Sequence, residues 1–316
     1  MDASILTHAR IVIPVRNGGA RWREAAMALS RAVPDPSRVV VIDSSSSDGS
    51  DAVAAQCGFE LHRIDVRTFN HGRTRQEAVD RFCGGVRFVV FLTQDAIVEG
   101  PATLVTILNS FADERVGAAY GRQLPHHDAR PFGAHAVLFN YPPHSETRWL
   151  ADASRLGMKA AYISNSFAAY RIEALNECGG FPSRLILAED AFVAMSMLLK
   201  GWGLRYCADA PVRHSHDYSI LEEMQRYFDF GVVLTQLQEL LRHFGAPEGE
   251  GVRFVAAELS YMARHAPWLL PQVLVRNAAK YTGYRLGRVF NRLPNFWRKR
   301  LSMTKGYWVE NASPEA

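Results

Sequence analysis

The chain has 316 residues, 48% hydrophobic and 22% charged, with a formal net charge of +4. That is ordinary globular composition with a full-sized core, which excludes a disordered or fibrous chain. The four cysteines, Cys57, Cys83, Cys178 and Cys207, are widely spaced with no CxxC pair, so they read as small core residues of a reducing compartment rather than a disulfide framework. The opening MDASILTHARIVIPV lacks a basic segment followed by a long apolar stretch and a small-residue cleavage site. No apolar run reaches the roughly 18 to 20 residues that span a bilayer. A cytoplasmic protein is expected, with any membrane contact peripheral.

In chain order, ARIVIPV (9–15) and RVVVID (38–43) are too short for helices and rich in Val and Ile, which predicts buried parallel strands. ELHRID (60–65) is a weaker third strand and RFVVFLT (87–93) a strong fourth. Helical patterns near 21–33, 48–57 and 73–83 lie between them, and this alternation predicts an α/β fold with a mostly parallel central sheet. A helix follows Pro101, then a strand in VGAAYGRQLP (116–125). Segment 125–158 is rich in His, Pro and Arg, has little periodicity, and reads as a long, partly ordered loop. AAYISNSFAAYR (160–171) reads as a strand, and ILAEDAFVAMSMLLKG (186–201) as a helix with Gly201 just past its end. LRYCADAPVRHSH (204–216) reads as a strand running into a loop. From Ile220 the pattern is helical, broken near 245–251, 267–271 and 294. The expected division is a catalytic region over 1–218 and a helical region over 219–316.

Ligands of open α/β sheets bind beyond the carboxyl ends of the strands. Pro14, Val15, Arg16 and Asn17 follow the first strand, DSSSSDGS from Asp43 the second, and TQDA, with Gln94 and Asp95, the fourth. Each has a structural alternative: the Ser-rich run as a turn with Ser47 or Asp48 as N-cap, and Asp95 as a cap for the helix after it. Three polar strand ends on one rim are harder to dismiss than any one. IPVRNGGAR has the wrong glycine spacing for GxGxxG, which argues against a nicotinamide enzyme, and a Walker A motif is absent. Glu189-Asp190 opens a helix, either as a dipole-stabilising acid pair or as a general base. In His214-Ser215-His216, alternation along an extended segment predicts at most one histidine facing a given site. With Asp95 near, that histidine is a candidate member of a divalent-metal site.

The order IPVRN, VVVIDSSSSDGS, FLTQDA, GGF, AED and HSH resembles the family 2 glycosyltransferases, which have the GT-A fold, over roughly residues 10 to 230. FNHGRTR, TQDA, YGRQLP, FNYP, SNSFAAYR and RYFDFG are similar, more narrowly, to bacterial rhamnosyltransferases that build O-antigen and related polysaccharides from dTDP-L-rhamnose. The resemblance implies that Pro14, Val15 and Asp43 hold the pyrimidine and ribose, with Asn17, Arg75 and Gln94 near the nucleotide sugar. It makes Asp95 the last aspartate of a DxD motif, His214 its histidine partner on Mg²⁺ or Mn²⁺, and Asp190 the catalytic base beside Glu189. Gly179, Gly180 and Phe181 match the loop shaping the acceptor side. Thr93 stands at the first DxD position, leaving one fewer carboxylate. Either Asp95 binds the metal with the diphosphate, His214 and waters, or metal dependence is weak. The implied reaction is a single inverting displacement from dTDP-β-L-rhamnose to a saccharide acceptor on a lipid carrier, with no nucleic-acid partner.

Other readings are a transferase of the same fold using a UDP-sugar, a sugar-phosphate nucleotidyltransferase (which IPVRNGGAR fits poorly), and a non-enzymatic membrane-surface scaffold. The last is suggested by Pro267–Trp308, which has nine Lys and Arg and no Asp or Glu. Arg276, Lys280, Arg288 and Arg292 are expected on one helical face, with Val273, Leu274, Tyr281, Tyr284, Phe290, Phe296, Trp297 and Trp308 as apolar bulk against an anionic membrane.

Overall fold

The computed structural model describes residues 3–245 and 249–310. Nine strands form one mixed sheet: β1 (Ala9–Val15), β2 (Val39–Asp43), β3 (Glu60–Arg63), β4 (Phe88–Leu92), β5 (Ile97–Val98), β6 (Val116–Leu124), β7 (Glu146–Arg148), β8 (Phe167–Arg171) and β9 (Gly203–Arg213). Their order is β3-β2-β1-β4-β8-β6-β9-β5, with β7 also on β9. β1–β4, β6 and β9 point the same way, whereas β5, β7 and β8 run against them. The predicted boundaries of the first four strands hold to within two residues; β1, β2 and β4 are buried apolar runs, whereas β3 is the polar, partly exposed strand at the sheet edge.

Alternate residues of those strands feed two cores. Val12, Val40, Ile42, Val89 and Phe91 face one, and Ile11, Ile13, Val39, Val41, Val90 and Leu92 the other. The second core is covered by α1 (Gly19–Ala32), α2 (Ser50–Gln56) and, further along the chain, α4 (Pro101–Leu108). The first is covered by α3 (His71–Phe82), α5 (Pro131–Asn140), α7 (Ile172–Glu177) and α8 (Glu189–Leu199), with the four-residue α6 (Ala153–Leu156) at its edge.

Segment 125–158 is more ordered than its sequence predicts. It contains α5, β7 and α6. Phe132, Gly133, Ala134, His135 and Val137 are all buried, so α5 has apolar neighbours on more than one side and no single 3.6-residue stripe. The strand predicted over 160–171 is confined to Phe167–Arg171 and preceded by a 3-10 turn.

The helical end comprises α9 (Ile220–Gln236), α10 (Gln238–Leu241), α11 (Glu250–His265), α12 (Leu270–Arg288), α13 (Asn295–Leu301) and α14 (Tyr307–Glu310). A Ser219–Glu222 capping box starts α9. Phe228, Val232, Val233 and Leu237 of α9 join the first core, as does Trp308. Helices α9 and α12 approach closely: a Cβ on Gly283 would collide with the Met224 carbonyl, and one on Gly287 with that of Phe228. Buried Asp229 accepts the Met303 and Thr304 amides, each at 3.0 Å, and so pins the chain between α13 and α14.

Four of the residues expected at a membrane are internal. Arg276 pairs with Glu223 at 3.1 Å, and Lys280 reaches Glu223 at 3.6 Å and Glu258 at 3.4 Å, all largely buried. Val273 and Trp308 are core residues. The acids that neutralise these cations lie on α9 and α11, so the excess of positive charge along the sequence is smaller in space. What stays exposed on α12 is Leu274, Val275 and Tyr281, followed by Arg285 and Arg288.

Candidate active site

The ends of β1, β2 and β4 are laced into one rim by side chains bonding to backbone. Arg16 donates its amide to Gln94 Oε1 at 2.7 Å, and Asn17 its amide to Ser46 Oγ at 3.0 Å. Ser47 donates back to Asn17 Oδ1 at 2.8 Å, and Ser44 to the Val15 carbonyl at 2.8 Å. Asn17 and Gln94 are therefore parts of the rim's frame. The N-cap of α2 is Gly49 rather than Ser47 or Asp48, but Asp48, just ahead of it, accepts the first helical amide, Ser50 N–H, at 3.0 Å. Asp43 is buried and takes the Ser46 amide on Oδ2 at 3.1 Å, while its Oδ1 has no partner among the described residues. An unpaired buried carboxylate oxygen is costly, so a donor from a ligand fits there. Pro14 and Val15 pair in register with Ile42 and Asp43.

Among the described residues three non-glycine positions have positive φ, Asn17 at 47°, Ser45 at 57° and Ala188 at 63°. All three flank this rim or the start of α8, where local strain accompanies function more often than elsewhere.

Asp95 ends the β4 side. His214 Nε2 lies 3.4 Å from Asp95 Oδ1, and His216 Nδ1 lies 3.8 Å from Oδ2. One ligand atom from each of the three falls within 4.8 Å of the others. Both histidines face the aspartate, against the expectation of one at most: two residues apart on an extended segment, side chains share a side. His214 Nδ1 bonds Gln123 Oε1 at 2.8 Å, so Nδ1 carries the proton and the buried, unpartnered Nε2 presents its lone pair to the cluster. Burial drives His216 down to about 4, so it is neutral at pH 7. Burial alone would raise Asp95, but its interactions with His214, then His216, outweigh it and hold the carboxylate below its usual range. One carboxylate and two imidazoles fit a divalent cation such as Mn²⁺ or Mg²⁺.

The second half of the site opens α8. Asp190 receives the Asn165 amide on Oδ2 at 3.1 Å and the Ala191 amide on Oδ1 at 2.8 Å. Burial, then the neighbouring charge of Glu189, pushes Asp190 up to about 6. Glu189 is buried and bonded to Arg75 Nη1 at 2.9 Å and Asn165 Nδ2 at 3.0 Å. Burial disfavours its charge, but Arg75, then His71, keep it ionised. Arg75, expected near the nucleotide, is thus the counter-ion of Glu189; its Nε has no partner among the described residues.

Gly179 and Gly180, at φ 79° and 75°, terminate α7. The Gly180 amide bonds the Leu175 carbonyl at 3.0 Å, and a Cβ there would strike Gln76. Phe181 is a core residue at 5.3 Å from both Phe91 and Tyr170, and its amide donates to Gln76 Oε1 at 2.8 Å. These three shape the loop before α8 through the backbone.

Sequence reading missed Gln123, Ser164 and Asn165, and admitted His216 only as an alternative to His214. Only His216 had a signal, its two-residue offset from His214. The others join the two halves: Gln123 Nε2 donates to Ser164 Oγ at 3.2 Å while its carbonyl orients His214, and Asn165 holds both Glu189 and Asp190.

Residues 9–228 match the model of the glycosyltransferase-like family 2. The chain is 43% identical over 299 residues to the O-antigen chain rhamnosyltransferase WbaN of Salmonella anatum, covering 94% of this chain and 95% of that one. It is 40% identical, with the same coverage, to the O-antigen chain rhamnosyltransferase RfbN of Salmonella typhimurium. The mannosyltransferase PcManGT of Pyrobaculum calidifontis, solved with GDP-Man and Mn²⁺, superposes at a TM-score of 0.55 and 19% identity, over 96% of this chain and 87% of that one. S. aureus TarS 1-349 with UDP-GlcNAc gives 0.51 and 16%, over 90% and 91%. Fold, strand-end site and sequence agree that this chain is a GT-A glycosyltransferase and belongs to the glycosyltransferase-like family 2.

Proposed function

We propose that the protein transfers L-rhamnose from dTDP-β-L-rhamnose to a saccharide acceptor on a lipid carrier, in bacterial surface polysaccharide synthesis. The observation that carries this reading is the identity of 40–43% to two O-antigen chain rhamnosyltransferases over 94% of the chain, on a site whose parts suit the reaction. Asp43 Oδ1 is available to accept the N3–H of a thymine or uracil, with Pro14 and Val15 beside it. Asp95, His214 and His216 would hold Mg²⁺ or Mn²⁺, which would supply positive charge for the departing diphosphate. Asp190 takes the proton of the acceptor hydroxyl. The acceptor oxygen bonds to the anomeric carbon as that carbon's bond to the β-phosphate oxygen breaks, and the electron pair leaves with the nucleoside diphosphate. A single displacement inverts the centre and gives an α-rhamnoside.

We assign the chemistry mainly to residues 1–218, and to the helical region a peripheral docking role on the cytoplasmic face of an anionic membrane. Among the described residues no helix is long and apolar enough to cross one. The exposed Leu274, Val275 and Tyr281, with Arg285 and Arg288 beyond them on the same helix, suit the headgroup region. Replacing Leu274 and Tyr281 by Ser and Arg285 and Arg288 by Gln leaves the buried charge cluster intact. It is expected to abolish sedimentation with anionic vesicles while the melting temperature stays within a few degrees. Equal binding of the wild-type protein to neutral and anionic vesicles, or to neither, removes the docking assignment.

The donor is tested by comparing dTDP-rhamnose with UDP-glucose, UDP-galactose and UDP-GlcNAc in calorimetry with Mn²⁺, and in transfer to membrane lipid extracts. Preferential binding and turnover of dTDP-rhamnose is expected. Preference for a UDP-sugar assigns the alternative donor, and no binding of any nucleotide sugar overturns the reading.

A further inference from the structure

Arg226, on the second turn of α9, is exposed and forms no ion pair or hydrogen bond among the described residues. It is nevertheless placed. Its guanidinium lies 5.6 Å from the centre of the Tyr218 ring, and that ring stacks on His216 at 5.1 Å and 27°. His216 in turn faces Asp95. The cation is therefore tied through one aromatic ring to the metal triad. Its charge also acts on His71 at the start of α3, which faces Glu189, and on Tyr162, which bears on Asp190. Held over the ring that packs on His216, Arg226 sits on the α9 side of the triad. A departing nucleoside diphosphate carries more negative charge than a divalent ion neutralises, and a planar guanidinium matches phosphate oxygens with paired donors.

We propose that Arg226 binds the diphosphate of the nucleotide, opposite the Asp95–His214–His216 triad, and stabilises it as a leaving group. This rests on the nucleotide-sugar reading of the site. Tyr218 positions the side chain, so the helical region contributes a group to the chemistry as well as to the fold.

The test compares binding of dTDP, UDP and thymidine, each with Mn²⁺, by the wild-type protein and by Arg226→Gln and Arg226→Lys. Loss of one charge-assisted contact predicts dTDP binding about ten- to hundredfold weaker in Arg226→Gln, with partial recovery in Arg226→Lys. Thymidine binding and melting temperature stay unchanged, and kcat falls with the diphosphate affinity. Unchanged dTDP binding in Arg226→Gln overturns the assignment, as does an equal loss for thymidine and dTDP, which marks a structural role. If the wild-type protein binds neither dTDP nor UDP, the nucleotide-sugar reading itself fails, an outcome distinct from either.

Discussion

The site holds two aspartates in opposite electrostatic settings. Asp95 sits at a strand end facing two imidazoles and is held ionised. Asp190 sits at a helix start beside a second, buried carboxylate and is pushed up to about 6. In the proposed mechanism the same side chain serves two tasks, a permanent anion to hold a cation and a base near neutrality to take a proton. Ser164 and Asn165, two adjacent residues, bond to the frame of each.

The comparison breaks most sharply at Asp190. Asp190→Asn keeps size and helix position but removes the proton acceptor, so turnover should fall by about 10² to 10⁴-fold while donor affinity stays near wild type. Collapse of donor binding with an unchanged rate per bound donor would instead make Asp190 a binding residue. On the other side, Gln123→Leu removes the acceptor that orients His214. Metal affinity, read by Mn²⁺ titration, should drop about 10 to 100-fold, and the pH dependence set by Asp190 should stay in place. If Mn²⁺ affinity is unaffected, His214 does not ligand the metal.

The smallest effect is the most diagnostic. Asp190 acts as a base only when ionised, so the rate should fall as pH drops through about 6. In Glu189→Gln a neighbouring negative charge disappears, the Asp190 carboxylate becomes easier to ionise, and the acidic limb moves to lower pH. The groups that bear on it from other elements, Arg75 and His71 on α3 and Tyr162 and Tyr170 across the cleft, remain. A limb that stays put or moves up would show that Glu189 only anchors Arg75.

Much of this site was legible in the sequence because β-branched runs mark strands and polar residues follow them. Asp43, Asp95 and Asp190 each stand at the end or start of an obvious element. Asn165 was not legible, since nothing in SNSF says that a backbone amide will meet a carboxylate 25 positions later. The Arg75–Glu189 pair was not legible either, because FNHGRTR carries no hint of a partner 114 residues on. Arg276 and Lys280 were misplaced for the same reason: a local charge count cannot see Glu223 and Glu258. Helix α5 escaped because a helix enclosed on several sides loses the stripe by which helices are recognised.

The close crossing of α9 and α12 constrains how such enzymes can be recombined. Gly283 and Gly287 are tolerable as glycine alone at this separation, because the carbonyls of Met224 and Phe228 occupy the space of any side chain. Arg276 and Lys280 lie on the same helix and depend on Glu223 of the first. A chimera that borrows the C-terminal helices from a relative but keeps its own α9 would bring together mismatched knobs and orphaned charges. The two helices therefore exchange as one cassette, and because Arg226 rides on α9, a graft of that cassette would carry part of the donor site with it.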